Sequence, residues 1–76
     1  MLTLVNIIDL SGNNLSGDIS EDITNISGLA TLNVSNNHLK GKISQRIGDI
    51  QYLETLDLSF NHFSGQIPPV MFDLSN

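Results

Sequence analysis

The sequence predicts an α/β-type repeat solenoid of three 24-residue units, with a concave parallel β-sheet and a convex side of irregular or 3-10 structure. Three observations carry that prediction. The stretch Val5 to Leu15 aligns with Leu29 to Leu39 and with Leu53 to Phe63, with no insertion or deletion. Within each stretch, Ile8-Asp9-Leu10, Leu32-Asn33-Val34 and Leu56-Asp57-Leu58 alternate apolar and polar residues, the period of a half-buried strand. An asparagine then recurs at 13, 37 and 61 and a glycine at 17, 41 and 65. Self-similarity at a fixed period means that each unit buries its apolar face against its neighbours.

Residues 1–4 read as the end of a preceding repeat, followed by units at 5–28, 29–52 and 53–76. In each, a short strand points its apolar residues inward, and stacking the units aligns the strands into the concave sheet. Asn13, Asn37 and Asn61 follow the strand. Their amides both donate and accept, which suits them to satisfy the backbone of a tight turn as a structural ladder. Gly17, Gly41 and Gly65 mark a second bend, where the lack of a Cβ is favoured. The chain then crosses the convex side and returns through Ile26, Ile50 or Leu74. Seven columns per unit face the core, in the middle unit Leu29, Leu32, Val34, Leu39, Ile43, Ile47 and Ile50.

Charge and composition exclude several function classes. The formal net charge is -5 over 76 residues, and phosphate backbones need clustered Lys and Arg, so no nucleic-acid partner is expected. The basic residues Lys40, Lys42 and Arg46 all fall in the middle unit. In register, Asp18 lies beside Lys42 and Asp22 beside Arg46. These are either cross-repeat ion pairs on a solvated face, each worth at most ~1 kcal/mol, or a charge patch for a partner. The sequence has no cysteine, which removes disulfides, thiolate metal sites and cysteine nucleophiles. Met1 to Val5 lacks a charged n-region and runs straight into the first unit, so it does not read as a signal peptide. No stretch has the length of a membrane span.

The pattern Leu-x-x-Leu-x-Leu-Ser-x-Asn-x-Leu-x-Gly-x-Ile runs from Ile8 to Ile19, Leu32 to Ile43 and Leu56 to Ile67, with Pro68 completing Gly-x-Ile-Pro in the third unit. It resembles the plant-type, extracellular class of leucine-rich repeats. That resemblance implies a second, short sheet near the Gly-x-Ile segment. Leu4 to Ser11, then Leu53 to Ser59 and Gln66 to Pro69, are similar to one stretch of plant receptor-like proteins. Those are cell-surface immune receptors akin to the receptors for fungal ethylene-inducing xylanase. There the stretch falls in the last repeats, after the island that interrupts the array and before the membrane helix. Ser20 and Ser44 stand where the family has Pro, which is expected to loosen the first two convex bends. The signal peptide, capping cysteines, island and membrane span of such receptors are not in the sequence. Membrane attachment is therefore expected only through a parent receptor, at the extracellular face of the plasma membrane.

Ligands of the family usually meet the concave face. The resemblance therefore makes the outward strand positions candidate contacts: Ile7, Thr31 and Thr55, then Asp9, Asn33 and Asp57, with Phe60, His38 and His62 beside the asparagine ladder. Phe60 is either a binding hot spot or a cover for the neighbouring strand. His38 and His62 are expected to be stacked neighbours. Without a third ligand in their columns they do not suggest a metal centre, and no cofactor is implied. Asp9 and Asp57 are separated by the middle unit, about 10 Å, beyond the roughly 5–9.5 Å of glycosidase carboxylates. With no phosphate loop or nucleophile elbow either, enzyme activity is not expected. Asn14, Asn25 and Asn33 head N-glycosylation sequons, meaningful in a secreted chain. A glycan on Asn33 would block the concave sheet and favour a lateral or convex contact.

The function implied by resemblance is protein interaction in defence signalling, through a co-receptor kinase or a protein or peptide elicitor. The alternatives are a standalone inhibitor or decoy, like the polygalacturonase-inhibiting proteins, and a receptor gene fragment without a function of its own. Three repeats are about the minimum for such an array. With unprotected sheet edges, the isolated chain is expected to be marginal, aggregation-prone or self-associating through the open ends of the solenoid.

Overall fold

The computed structural model describes residues 6–65. The lead at 1–4, Val5, and the third unit's return through Ile67, Pro68 and Leu74 lie outside them. The strands are β1 (Asn6–Asp9), β2 (Ser16–Gly17), β3 (Leu29–Asn33), β4 (His38–Lys42), β5 (Thr55–Asp57) and β6 (His62–Ser64). They form two parallel three-stranded sheets, ordered β1-β3-β5 and β2-β4-β6. Each repeat thus contributes one strand to each sheet, and the sequence-predicted solenoid is the fold observed.

Sheet one keeps the 24-residue register, pairing Ile8 with Leu32 and Leu32 with Leu56. Pairing in sheet two is offset by two residues from that register: Ser16 meets His38, and Lys40 meets His62. The convex side is crossed by two 3-10 turns, Glu21–Asn25 and Gln45–Asp49. Ser20 Oγ accepts the Asp22 N–H at 3.1 Å and Ser44 Oγ the Arg46 N–H at 3.1 Å. Their φ values of -66° and -61° are those a proline ring would impose. Serine therefore does not simply loosen these bends. It replaces a ring constraint with a capping hydrogen bond.

Leu29, Leu32, Val34, Leu39, Ile43, Ile47 and Leu56 form the buried core, flanked by half-buried Ile8, Ile19, Ile23, Ile26, Ile50, Leu53, Leu58 and Phe63. Two expectations need correction. Ile50 is only half-buried, and Ala30, at the start of β3, is buried although the repeat pattern does not mark it. At the first coil, Leu10 and Leu15 are 44% and 39% exposed, although their columns are buried at Val34 and Leu39. A solenoid buries a coil by stacking one on each side, and only the middle coil has both among the described residues.

Candidate functional site

The concave surface is set by what happens where each strand ends. Asn37 Nδ2 donates to the carbonyls of Leu10, Val34 and Ser35, and its Oδ1 accepts the Leu15 N–H. Asn61 repeats the pattern one coil on, donating to Val34, Leu58 and Ser59 and accepting from Leu39. Asn13 donates only within its own coil, to Leu10 and Ser11. The turn also forces a left-handed residue just before each ladder asparagine: Gly12 at φ 68°, Asn36 at 57° and Phe60 at 57°. Glycine and asparagine suit that conformation, whereas a bulky aromatic is strained there. Phe60 is nonetheless 77% exposed, so it stands off the surface and does not cover the neighbouring strand.

On the sheet itself, Ile7, Thr31 and Thr55 form one row, and Asp9, Asn33 and Asp57 the next. Ile7 is 67% exposed. Each polar residue of the second row is tied to its own turn. Asp9 Oδ1 accepts the Ser11 N–H at 3.1 Å and the Ser11 hydroxyl at 2.6 Å. Asp57 holds Ser59 the same way at 3.1 and 2.6 Å, and Asn33 Oδ1 accepts the Ser35 N–H at 3.0 Å. The Ser11 hydroxyl, and then its backbone N–H, hold the Asp9 carboxyl below the usual carboxylate range, against a small opposing effect of desolvation. The face therefore offers carboxylate and amide groups at fixed positions, with Ile7 and Phe60 as its large exposed apolar side chains.

His38 and His62 are elsewhere. They stack, with ring centroids 6.0 Å apart and an interplanar angle of 16°, but they belong to β4 and β6. The pair therefore lies on the second sheet, not on the concave one, because the ladder turn has already redirected the chain. No group of three or more His, Cys, Asp or Glu is placed to hold a metal ion among the described residues, and no helix there is long and apolar enough to cross a membrane.

The charge pairs also differ from the register-based expectation. Arg46 pairs with Glu21 at 3.3 Å, not with Asp22. Asp22 sits one position into the 3-10 turn, where its N–H is taken by Ser20. Asp18 and Lys42 make no ion pair among the described residues. Each lies across the glycine of the following coil: a Cβ at Gly41 would come within 2.8 Å of Asp18 Oδ1, and one at Gly65 within 3.2 Å of Lys42 Cγ. Those glycines leave room for side chains of the previous coil. Of the sequon asparagines, Asn14 and Asn25 are exposed, whereas Asn33 is half-buried in β3. Sequence reasoning missed Tyr52, which is exposed on the convex return and lines a shallow groove with Thr24, Ile26 and Asp49. Its signal was an aromatic in the column that holds Gly28.

The Leucine Rich Repeat family model matches residues 5–26, 28–50 and 52–75. The chain belongs to the leucine-rich-repeat family. None of the curated proteins compared matches it. Among solved structures, it is similar to a chain in the crystal structure of the BIR3–SERK2 complex from Arabidopsis thaliana. The identity is 36% and the TM-score 0.87, over 96% of this chain. The match spans 38% of that chain's length. The surface described above is thus that of a leucine-rich-repeat protein-interaction module.

Proposed function

We propose that this module serves a plant cell-surface receptor-like protein in defence, held at the outer face of the plasma membrane through a parent receptor. Its repeats associate there with a co-receptor kinase, packing laterally, or take part in perceiving a protein or peptide elicitor. The observation that carries this reading is the 36% identity, over nearly the whole chain, to a chain of a plant protein–protein complex. The repeat consensus, with its second sheet, agrees with it. So does the layout of the surface. Rigid backbone turns present exposed side chains, which suits recognition of a protein better than chemistry on a small molecule.

Biolayer interferometry with the BIR3 and SERK2 chains as separate probes tests the partner. Micromolar binding to either supports the reading; no response from either at about 100 μM overturns the association with this class of partner. Peptide mapping of the chain within its plant-expressed parent tests the location. Glycans on Asn14 or Asn25 support an extracellular face, and a parent that stays in the cytosol refutes it.

A further inference from the structure

One face of the second sheet carries a row of evenly spaced donors. We propose that this row docks an extended acidic segment of a partner protein, with carboxylates at every second residue. This goes beyond the proposed receptor association and does not depend on it.

The row lies on β4, which runs between β2 and β6. Leu39 turns into the core, so His38, Lys40 and Lys42 share the opposite face, and all three are exposed. Alternate residues of a strand stand two rises apart, about 6.6 Å. On β6, His62 and Ser64 are also exposed and pair with Lys40 and Lys42. The His62 ring stacks on His38, with centroids 6.0 Å apart. Neither lysine takes part in an ion pair among the described residues, where Arg46 pairs with Glu21. The residues of β2, β4 and β6 include no Asp or Glu. One carboxylate lies beside the row: Asp18, just past β2, sits over Gly41.

Charge complementarity sets the sign of the partner. The chain is acidic, with a formal net charge of -5, and its first sheet carries Asp9 and Asp57. Two of its three basic residues nevertheless stand side by side on β4. An anionic segment is therefore drawn to the second sheet and repelled by the concave one. Spacing narrows the class. An extended peptide presents one face at every second residue, again about 6.6–6.8 Å apart. Glu-x-Glu-x-Glu laid along β4 thus sets one carboxylate over each of His38, Lys40 and Lys42. An ammonium group offers three donors, and an imidazole offers at least one N–H in either charge state. A run of consecutive acidic residues would turn every second carboxylate away from the sheet.

Biolayer interferometry of the full 76-residue chain at low salt, against two immobilised peptides of equal charge, tests this. One peptide alternates Glu with Thr, and the other gathers its Glu residues into one block. The alternating peptide should bind with a Kd of about 100 μM, and about fivefold more tightly than the blocked one. Lys40→Gln and Lys42→Gln, each removing one charge from an exposed side chain, should weaken binding about threefold. Asp18→Asn, which removes the carboxylate beside the row, should strengthen it about twofold. Lys42→Arg keeps the charge and should bind as the unaltered chain does, which separates loss of charge from loss of structure. Circular dichroism checks that each variant keeps its β-structure. Several results would overturn the inference: no response at about 1 mM peptide, equal binding of the two peptides, affinity unmoved by both glutamine variants, or polygalacturonate, an anionic polysaccharide, bound in preference to the peptide.

Discussion

Asn37 Oδ1 accepts the Leu15 N–H at 3.0 Å across a coil boundary, while Asn37 Nδ2 donates to three carbonyls on both sides of it. Asn37 is 4% exposed, so its side chain is closed off from water. Removing the side chain would leave the Leu15 N–H without its partner, at about 1–3 kcal/mol. The Leu10, Val34 and Ser35 carbonyls, by contrast, keep Asn13, Asn61 and the Gly12 N–H as donors. Asn37→Ala is therefore expected to cost about 2 kcal/mol, a large share of the stability of so small a domain. Asn13→Ala, exposed and bonded only within its coil, should cost under about 1 kcal/mol. Urea titrations of the two variants check the ranking, and equal costs would remove the cross-coil role of Asn37.

Phe60 occupies a left-handed position that the other coils give to Gly12 and Asn36. Phe60→Asn should relieve about 1 kcal/mol of backbone strain and raise the Tm by roughly 5 °C, although it deletes an aromatic ring. A thermal melt showing lower stability would mean that the exposed ring contributes packing the structure does not show. The same variant should weaken binding to a concave-face protein partner if Phe60 is an anchor there.

Arg46 and Glu21 form an exposed pair. A double-mutant cycle with Glu21→Gln and Arg46→Gln should give a coupling of about 0.2–1 kcal/mol, shrinking as salt is raised. A cycle with Asp22→Asn in place of Glu21→Gln should give no coupling. The reverse ranking would restore the register-based pairing.

The Asp9 carboxyl is held below its ordinary value, first by the Ser11 hydroxyl and then by the Ser11 N–H. A carboxylate whose pKa is depressed by folding contributes stability above its unfolded pKa, about 3.9, and loses it as the pH falls through the folded value. No change is expected from this group between about pH 5 and 7, only at the acid end. Ser11→Ala should move the Asp9 carboxyl titration, followed by 13C NMR, up toward the ordinary range. A titration curve unmoved by Ser11→Ala would show that the hydroxyl is not the main cause.

Much of this molecule was legible in the one-dimensional pattern, because a solenoid is built by translation. Residues 24 apart become neighbours, so the rows Ile7-Thr31-Thr55 and Asp9-Asn33-Asp57 follow from spacing alone. The core columns follow from the same spacing, and so does the stacking of His38 on His62. The repeat period determined the fold, the strand order of the first sheet and which residues share a row.

What translation does not fix is direction within a coil, and there the tertiary structure decided. The ladder turn carried the histidines onto the second sheet. Side-chain reach decided that Arg46 meets Glu21 and not its register partner Asp22, and that Asp18 and Lys42 lie over the glycines of the next coil. The ladder turn set Phe60 at a positive φ, with its ring in solvent. Stacking decided burial: Leu10 and Leu15, with no described coil on their outer side, are open while their column mates are covered. A repeating sequence specifies which residues are neighbours, but packing of the turns and the presence of a coil on each side decide which way they face and whether water reaches them.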